Sequence, residues 1–112
     1  MACMLKSTVP MVRGTHILLA DDESAFRYAA SVALRGAGYR VSVARNGREA
    51  LSRILDSQAV GDPVQVLVTD QQMPEMTGTE LAVLLHRKGI RIPIVVVTAS
   101  GGGWKLEAAI AD

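Results

Sequence analysis

Apolar and polar positions along this chain fall into two kinds of short run. His16-Ile17-Leu18-Leu19-Ala20, Val64 to Val68 with Gln65 as its one polar interruption, and Ile92 to Val97 are compact apolar stretches. Their β-branched, two-sided composition suits strands buried on both faces, as in a parallel sheet. Tyr39 to Ala44 alternates instead, the pattern of a half-exposed edge strand. Between the strands the apolar spacing changes to helical: Phe26, Ala29, Ala30, Ala33 and Leu34, then Ala50, Leu51, Ile54 and Leu55, then Leu81, Leu84 and Leu85.

Turn and cap residues punctuate the same plan. Ser24 is placed to cap the first helix, and Gly36 and Gly38 to stop it. Asn46 caps the second, with Glu49 three residues on in capping-box position. Gly78 leads into a third helix over Thr79 to Lys88, closed by Gly89, and Pro93 fits the start of the following strand. Gly101 to Gly103 predict a mobile connection into a last helix, Trp104 to Ala111. The alternation βαβαβαβα implies a parallel sheet with right-handed crossovers. Gly36 and Gly38 close a helix, so RGAGYR is not a dinucleotide fingerprint, which must open one.

Length and composition narrow the class. With 112 residues, 49% apolar and 21% charged, the chain is one ordinary globular domain. A formal net charge of +1 leaves no footprint for direct nucleic-acid binding, and no apolar run nears the ~20 residues a membrane span needs. Cys3 is the single cysteine, so no internal disulfide forms, which fits the cytoplasm. Residues 1–14 read as a disordered tail, without a signal-peptide core, ahead of a domain over 15–112.

Chemistry collects at the strand ends. The first strand runs into Asp21, Asp22 and Glu23, the Val64 strand into Asp70, and the Ile92 strand into Thr98. In an open α/β sheet, ligands bind beyond the carboxyl ends of the strands. Carboxylates converging there repel unless a cation lies between them, and a hard, oxygen-liganded ion such as Mg²⁺ fits such a set. His86, in a last helical turn, suits the helix dipole, and His16 lies at the far end of its strand. Neither histidine has a serine or cysteine in sequence that suggests hydrolase chemistry.

Three segments, ILLADDE at 17–23, DQQMPEMTGTEL at 70–81 and IPIVVVTAS at 92–100, together resemble the receiver domain of two-component response regulators. The resemblance implies a flavodoxin-like, three-layer αβα fold with strand order 2-1-3-4. It implies that Asp70 is the phosphoacceptor for a sensor histidine kinase or phosphotransfer protein. Mg²⁺ would be held by Asp22, Asp70 and the Gln72 backbone carbonyl, with Asp21 acting largely through water. Thr98 would hydrogen-bond the acyl phosphate. Gln72, Ala99 and Ser100 would tune its lifetime, and Met73, Pro74 and Gly78 would form the switch loop. Such a domain is a phosphoacceptor and not an enzyme, catalysing at most its own phosphorylation and dephosphorylation.

The chain also departs from the family. A full receiver has a fifth strand ending in Lys-Pro and a fifth helix, so this sequence reads as truncated before them. Lys105 lies only seven residues after Thr98 and is not a substitute by position. The Ile92–Val97 strand is then expected to be an unpaired apolar edge that invites a homodimer, with an apolar patch on one sheet face. That supports an alternative, a receiver-shaped interaction module that carries no phosphate and pairs through this edge. A phosphatase of the haloacid-dehalogenase type fits less well, because Gln72 stands where such enzymes place a second Asp.

Overall fold

The computed structural model describes residues 12–100 and 103–110, with 98–100 and 103–110 described for their backbone only. Strand β1 (His16–Ala20) is followed by α1 (Ser24–Gly36), β2 (Arg40–Ala44), α2 (Gly47–Ala59), β3 (Val66–Asp70), α3 (Gly78–Arg87) and β4 (Ile94–Ser100). The chain then forms β5 (Gly103–Ile110). β2, β1, β3 and β4 are parallel neighbours in that order, so the fold is flavodoxin-like, with strand order 2-1-3-4.

Alternate residues of these strands feed two cores. Leu18, Ala20, Leu67, Ile94 and Val96 pack with Ala50 and Ile54 of α2 and Leu81, Ala82 and Leu85 of α3. Ile17, Leu19, Val66, Val68, Val95 and Val97 face the other way, with Ala30 and Leu34 of α1 beside them. Burial on both faces accounts for the near-continuous apolar strands.

The predicted last helix is not formed: Gly103–Ile110 runs antiparallel to β4, with Ile94 opposite Ile110 and Ser100 opposite Gly103. Trp104-Lys105-Leu106-Glu107-Ala108 alternates apolar and polar, a period of two that a strand uses as readily as a helix uses its neighbours. A β-bulge lies between Val96 and Val97. The β4 edge is therefore paired within the chain, not open as expected, which removes the basis for a homodimer through 92–97. Ile94 to Val97 are buried, so the patch expected over them is not exposed either.

Smaller differences have local causes. Glu23, not Ser24, is the N-cap of α1, with no side-chain bond, and Ser24 is the first helical residue. Ala29 and Ala33 of α1 and Leu55 of α2 are exposed, although their spacing put them on the apolar faces. The helices lie on the sheet along narrower stripes than the sequence allows. At the end of the stretch assigned to the tail, Val12 to Gly14 enter a turn, with Gly14 N–H donating to the Gly38 carbonyl at 2.8 Å. The rest of that tail and the glycines 101–102 lie outside the described residues.

Candidate functional site

The acidic site is built at the carboxyl ends of β1 and β3. Asp21 follows β1 immediately, and its N–H donates to the Ala44 carbonyl at the end of β2 (3.0 Å). Its carboxylate accepts the Glu23 N–H at 2.8 Å, an Asx-type turn that opens α1. Asp70 ends β3, and Gln71 N–H donates to the Val97 carbonyl of β4 at 2.8 Å, tying the strand end to its neighbour. Carboxylate oxygens of Asp21, Asp22 and Asp70 all lie within 4.8 Å of one another. They open onto a cleft of about 250 Å³ shared with Glu23, Phe26, Gln72 and Val97.

The lining residues carry four carboxylates and no cation. At that spacing two unit charges repel by roughly 3 kcal/mol at an effective dielectric constant of about 20. Asp21 is buried, and loss of hydration pushes its carboxyl up to about 6, with the charges of Asp70 and Asp22 adding to the rise. The Glu23 N–H works against that rise. Burial also raises Asp70, with Asp22 adding to it, while the N–H groups of Gln72 and Gln71 oppose. An all-oxygen, strongly anionic donor set of this size suits a hard divalent cation such as Mg²⁺.

Residues 71–78 form the wall of the site. Gln71 Oε1 accepts both the N–H and the hydroxyl of Thr79 at 2.9 Å, and Gly78 N–H donates to the Gln71 carbonyl at 3.1 Å. Gly78 is buried against Asp70: a β-carbon there would stand 2.6 Å from the Asp70 carbonyl oxygen. Met73 points into the core, Pro74 is exposed, and Glu75 adopts φ of 69°. Met76 lies over Gly47 at the start of α2, joining this loop to a second helix.

A response regulator receiver domain profile matches residues 17–111. The chain belongs to the response regulator receiver family. It is 37% identical over 96 residues to the two-component response regulator ORR41 of Oryza sativa subsp. japonica, covering 84% of this chain and 73% of that protein. It is 34% identical to response regulator RR06 of Streptococcus pneumoniae, over 77% of this chain but only 37% of that protein. The chain therefore spans little more than a third of that longer relative. Among solved structures it is similar to response regulator TrrA of Thermotoga maritima, in complex with Mg²⁺-BeF (TM-score 0.69, 29% identity). That match covers 78% of this chain and 71% of TrrA.

Within this receiver, Asp21, Asp22, Asp70 and Gln72 meet in one cleft, and Gly78 packs directly behind it. Thr98 follows Val97, the register partner of Asp70, on β4. Lys105 of β5 stands opposite Thr98 in register, nearer the site end of the sheet than its sequence position suggested. The side chains of Thr98, Ala99 and Ser100 lie outside the described residues. Two features escaped the sequence reading. Thr77, not Gly78, is the entry to α3, in a reciprocal capping box with Glu80. Its Thr-x-x-Glu spacing is a sequence signature of a helix start. Gln71 closes the loop onto Thr79, and no periodicity marks it.

Proposed function

We propose that this domain accepts a phosphoryl group on Asp70 from a phosphohistidine of a sensor kinase or phosphotransfer protein in the cytoplasm. The observation that carries the reading is the trio of carboxylates within 4.8 Å at the ends of β1 and β3. Family membership supplies the reaction class.

In that reaction a carboxylate oxygen of Asp70 attacks phosphorus, and the O–P bond forms as the P–N bond breaks. The electron pair leaves with the imidazole, which takes a proton from solvent. Burial raises the Asp70 carboxyl, and the nearby backbone N–H groups of Gln72 and Gln71 oppose that rise and favour the ionised nucleophile. Asp21, Asp22, Asp70 and the carbonyl of Gln72 would hold Mg²⁺. When bound, that ion neutralises charge on the phosphoryl oxygens. Thr98, one place beyond the β3–β4 pairing, is the hydroxyl proposed to bind the acyl phosphate and couple it to the rest of the sheet. Gln72, Ala99 and Ser100 are proposed to set its lifetime, with Met73, Pro74 and Gly78 as the loop that responds. At this site the domain so read is a phosphoacceptor that turns over only its own aspartyl phosphate.

Intact mass after incubation with acetyl phosphate, with and without Mg²⁺, tests this. A gain of one phosphoryl group that needs Mg²⁺ and is lost in Asp70→Asn is the expected result. No gain under any condition would overturn it and leave a receiver-shaped interaction module as the better reading.

A further inference from the structure

At the opposite end of β1 from the acids, a second group of reactive side chains is assembled. His16 opens β1, is buried, and turns toward the α2 side of the sheet, where Leu18 and Ala20 of the same strand also lie. Its Nε2 stands 2.8 Å from the hydroxyl of Ser42 on β2. Its Nδ1 stands 3.2 Å from the Asp62 carbonyl, 3.3 Å from the Pro63 carbonyl and 3.8 Å from an Asp62 carboxylate oxygen. Asp62 is itself held by Arg40 at 2.9 Å.

These partners decide the tautomer. Carbonyl and carboxylate oxygens only accept, so the neutral ring carries its proton on Nδ1 and donates it toward Asp62 and Pro63. Nε2 is then a free lone pair, and the Ser42 hydroxyl donates to it. A hydroxyl on a base whose far side is fixed by a third group is the arrangement that activates a serine nucleophile. Ser42 and His16 both line a cleft of about 230 Å³, together with Arg53 and Asp56 of α2 and Val60 just past its end. The pair is therefore reachable and not sealed in the core.

We propose that Ser42 and His16 form a second reactive centre, separate from Asp70, that accepts an acyl group from a small neutral ester. The cleft is smaller than the ~300 Å³ at which drug-sized ligand pockets begin, a size that suits a small ester. Arg53 is outnumbered by Asp56 and Asp62 in the lining, which disfavours an anionic substrate. Ser42 Oγ attacks the carbonyl carbon, and its proton passes to His16 Nε2. The bond to the alkoxide breaks, and the alkoxide leaves with that proton. Water then attacks the acyl-serine through the same base, releasing the carboxylic acid and restoring Ser42.

The test uses the full chain with a fluorophosphonate probe, followed by peptide mass mapping. The adduct is expected on Ser42, with the exposed Ser24 and Ser52 as internal controls. Hydrolysis of p-nitrophenyl acetate is expected to fall to background in Ser42→Ala. In His16→Gln, labelling is expected to drop about 100-fold, the scale of a lost general base. Labelling spread evenly over the serines, or no adduct, overturns the proposal, and so does undiminished labelling in a folded His16→Gln. Should His16→Gln not fold, the wild-type adduct map and Ser42→Ala decide alone. Acetyl phosphate labelling of Asp70 is read separately, so either centre can fail without the other.

Discussion

Gly78 packs against the backbone of Asp70 so closely that a β-carbon would come within 2.6 Å of the Asp70 carbonyl oxygen and 3.1 Å of the Thr69 methyl. Neither neighbour is the far end of a flexible side chain. Gly78→Ala is therefore expected to destabilise the domain by about 1–3 kcal/mol, although alanine is the better helix former. It is also expected to move the Asp70 carboxylate and slow phosphorylation. Urea unfolding and acetyl phosphate kinetics on the same variant check both; an unchanged midpoint would show that the backbone yields freely here.

Much of this was legible because chemistry and periodicity coincide. Ile17 to Ala20 and Val66 to Val68 are apolar on both faces, so strand type and burial follow from composition, and the acids fall where each strand stops. Asn46 likewise caps α2 as its type suggests. The segment after Ser100 was not legible, since Trp104 to Ala111 has helical propensity and strand alternation at once, and pairing with β4 decides between them. Ala29 and Ala33 could not be placed, because alanine carries little information about which side is wet. The contact of His16 with Ser42 depends on register: Ser42 pairs with Leu18, which puts it diagonally across from His16.

Asp21 gives the acid site a pH signature. Its carboxyl rises from 3.8 to about 6 in the fold, chiefly through burial, so the native state binds the extra proton between those values. Without metal, this group costs nothing below about pH 4, and its full penalty applies above about pH 6. Stability is thus expected to fall by about 1–2 kcal/mol as pH rises through that window, after allowance for solvent screening of the partly hydrated cleft. Asp21→Asn is expected to raise the metal-free melting temperature at pH 7 and to flatten this part of the profile. Melting curves from pH 4 to 8 in EDTA measure it, and a variant less stable than wild type at pH 7 would refute the sign.

Metal should reverse that penalty. Mg²⁺ at one hundred times its Kd would stabilise the fold by about 2.7 kcal/mol if it binds only the native state. Asp22→Asn and Asp70→Asn are each expected to lose most of this gain while folding normally, since both side chains are at least partly exposed. Protons compete for Asp21, so affinity is expected to weaken by as much as about tenfold per pH unit below about 6. Titration calorimetry at pH 5 and pH 7.5 reads this directly.

Two caps flank the loop that carries the site, and they should act independently. Asn46 accepts the Glu49 N–H at 2.8 Å, while Glu49 reaches back past the cap to the Arg45 N–H. Thr77 accepts the Glu80 N–H at 3.0 Å, and Glu80 accepts the Thr77 N–H at 2.8 Å, completing the reciprocal box. Replacing either Asn46 or Thr77 by alanine is expected to cost about 1 kcal/mol, and the double variant about twice that. Only Thr77 belongs to the loop between Asp70 and α3, so Thr77→Ala should also slow phosphorylation and Asn46→Ala should not. Met76 packs on Gly47, the residue after Asn46, and could carry strain between the two sites. A double-mutant cycle departing from additivity by more than about 0.5 kcal/mol would show that this contact couples the caps.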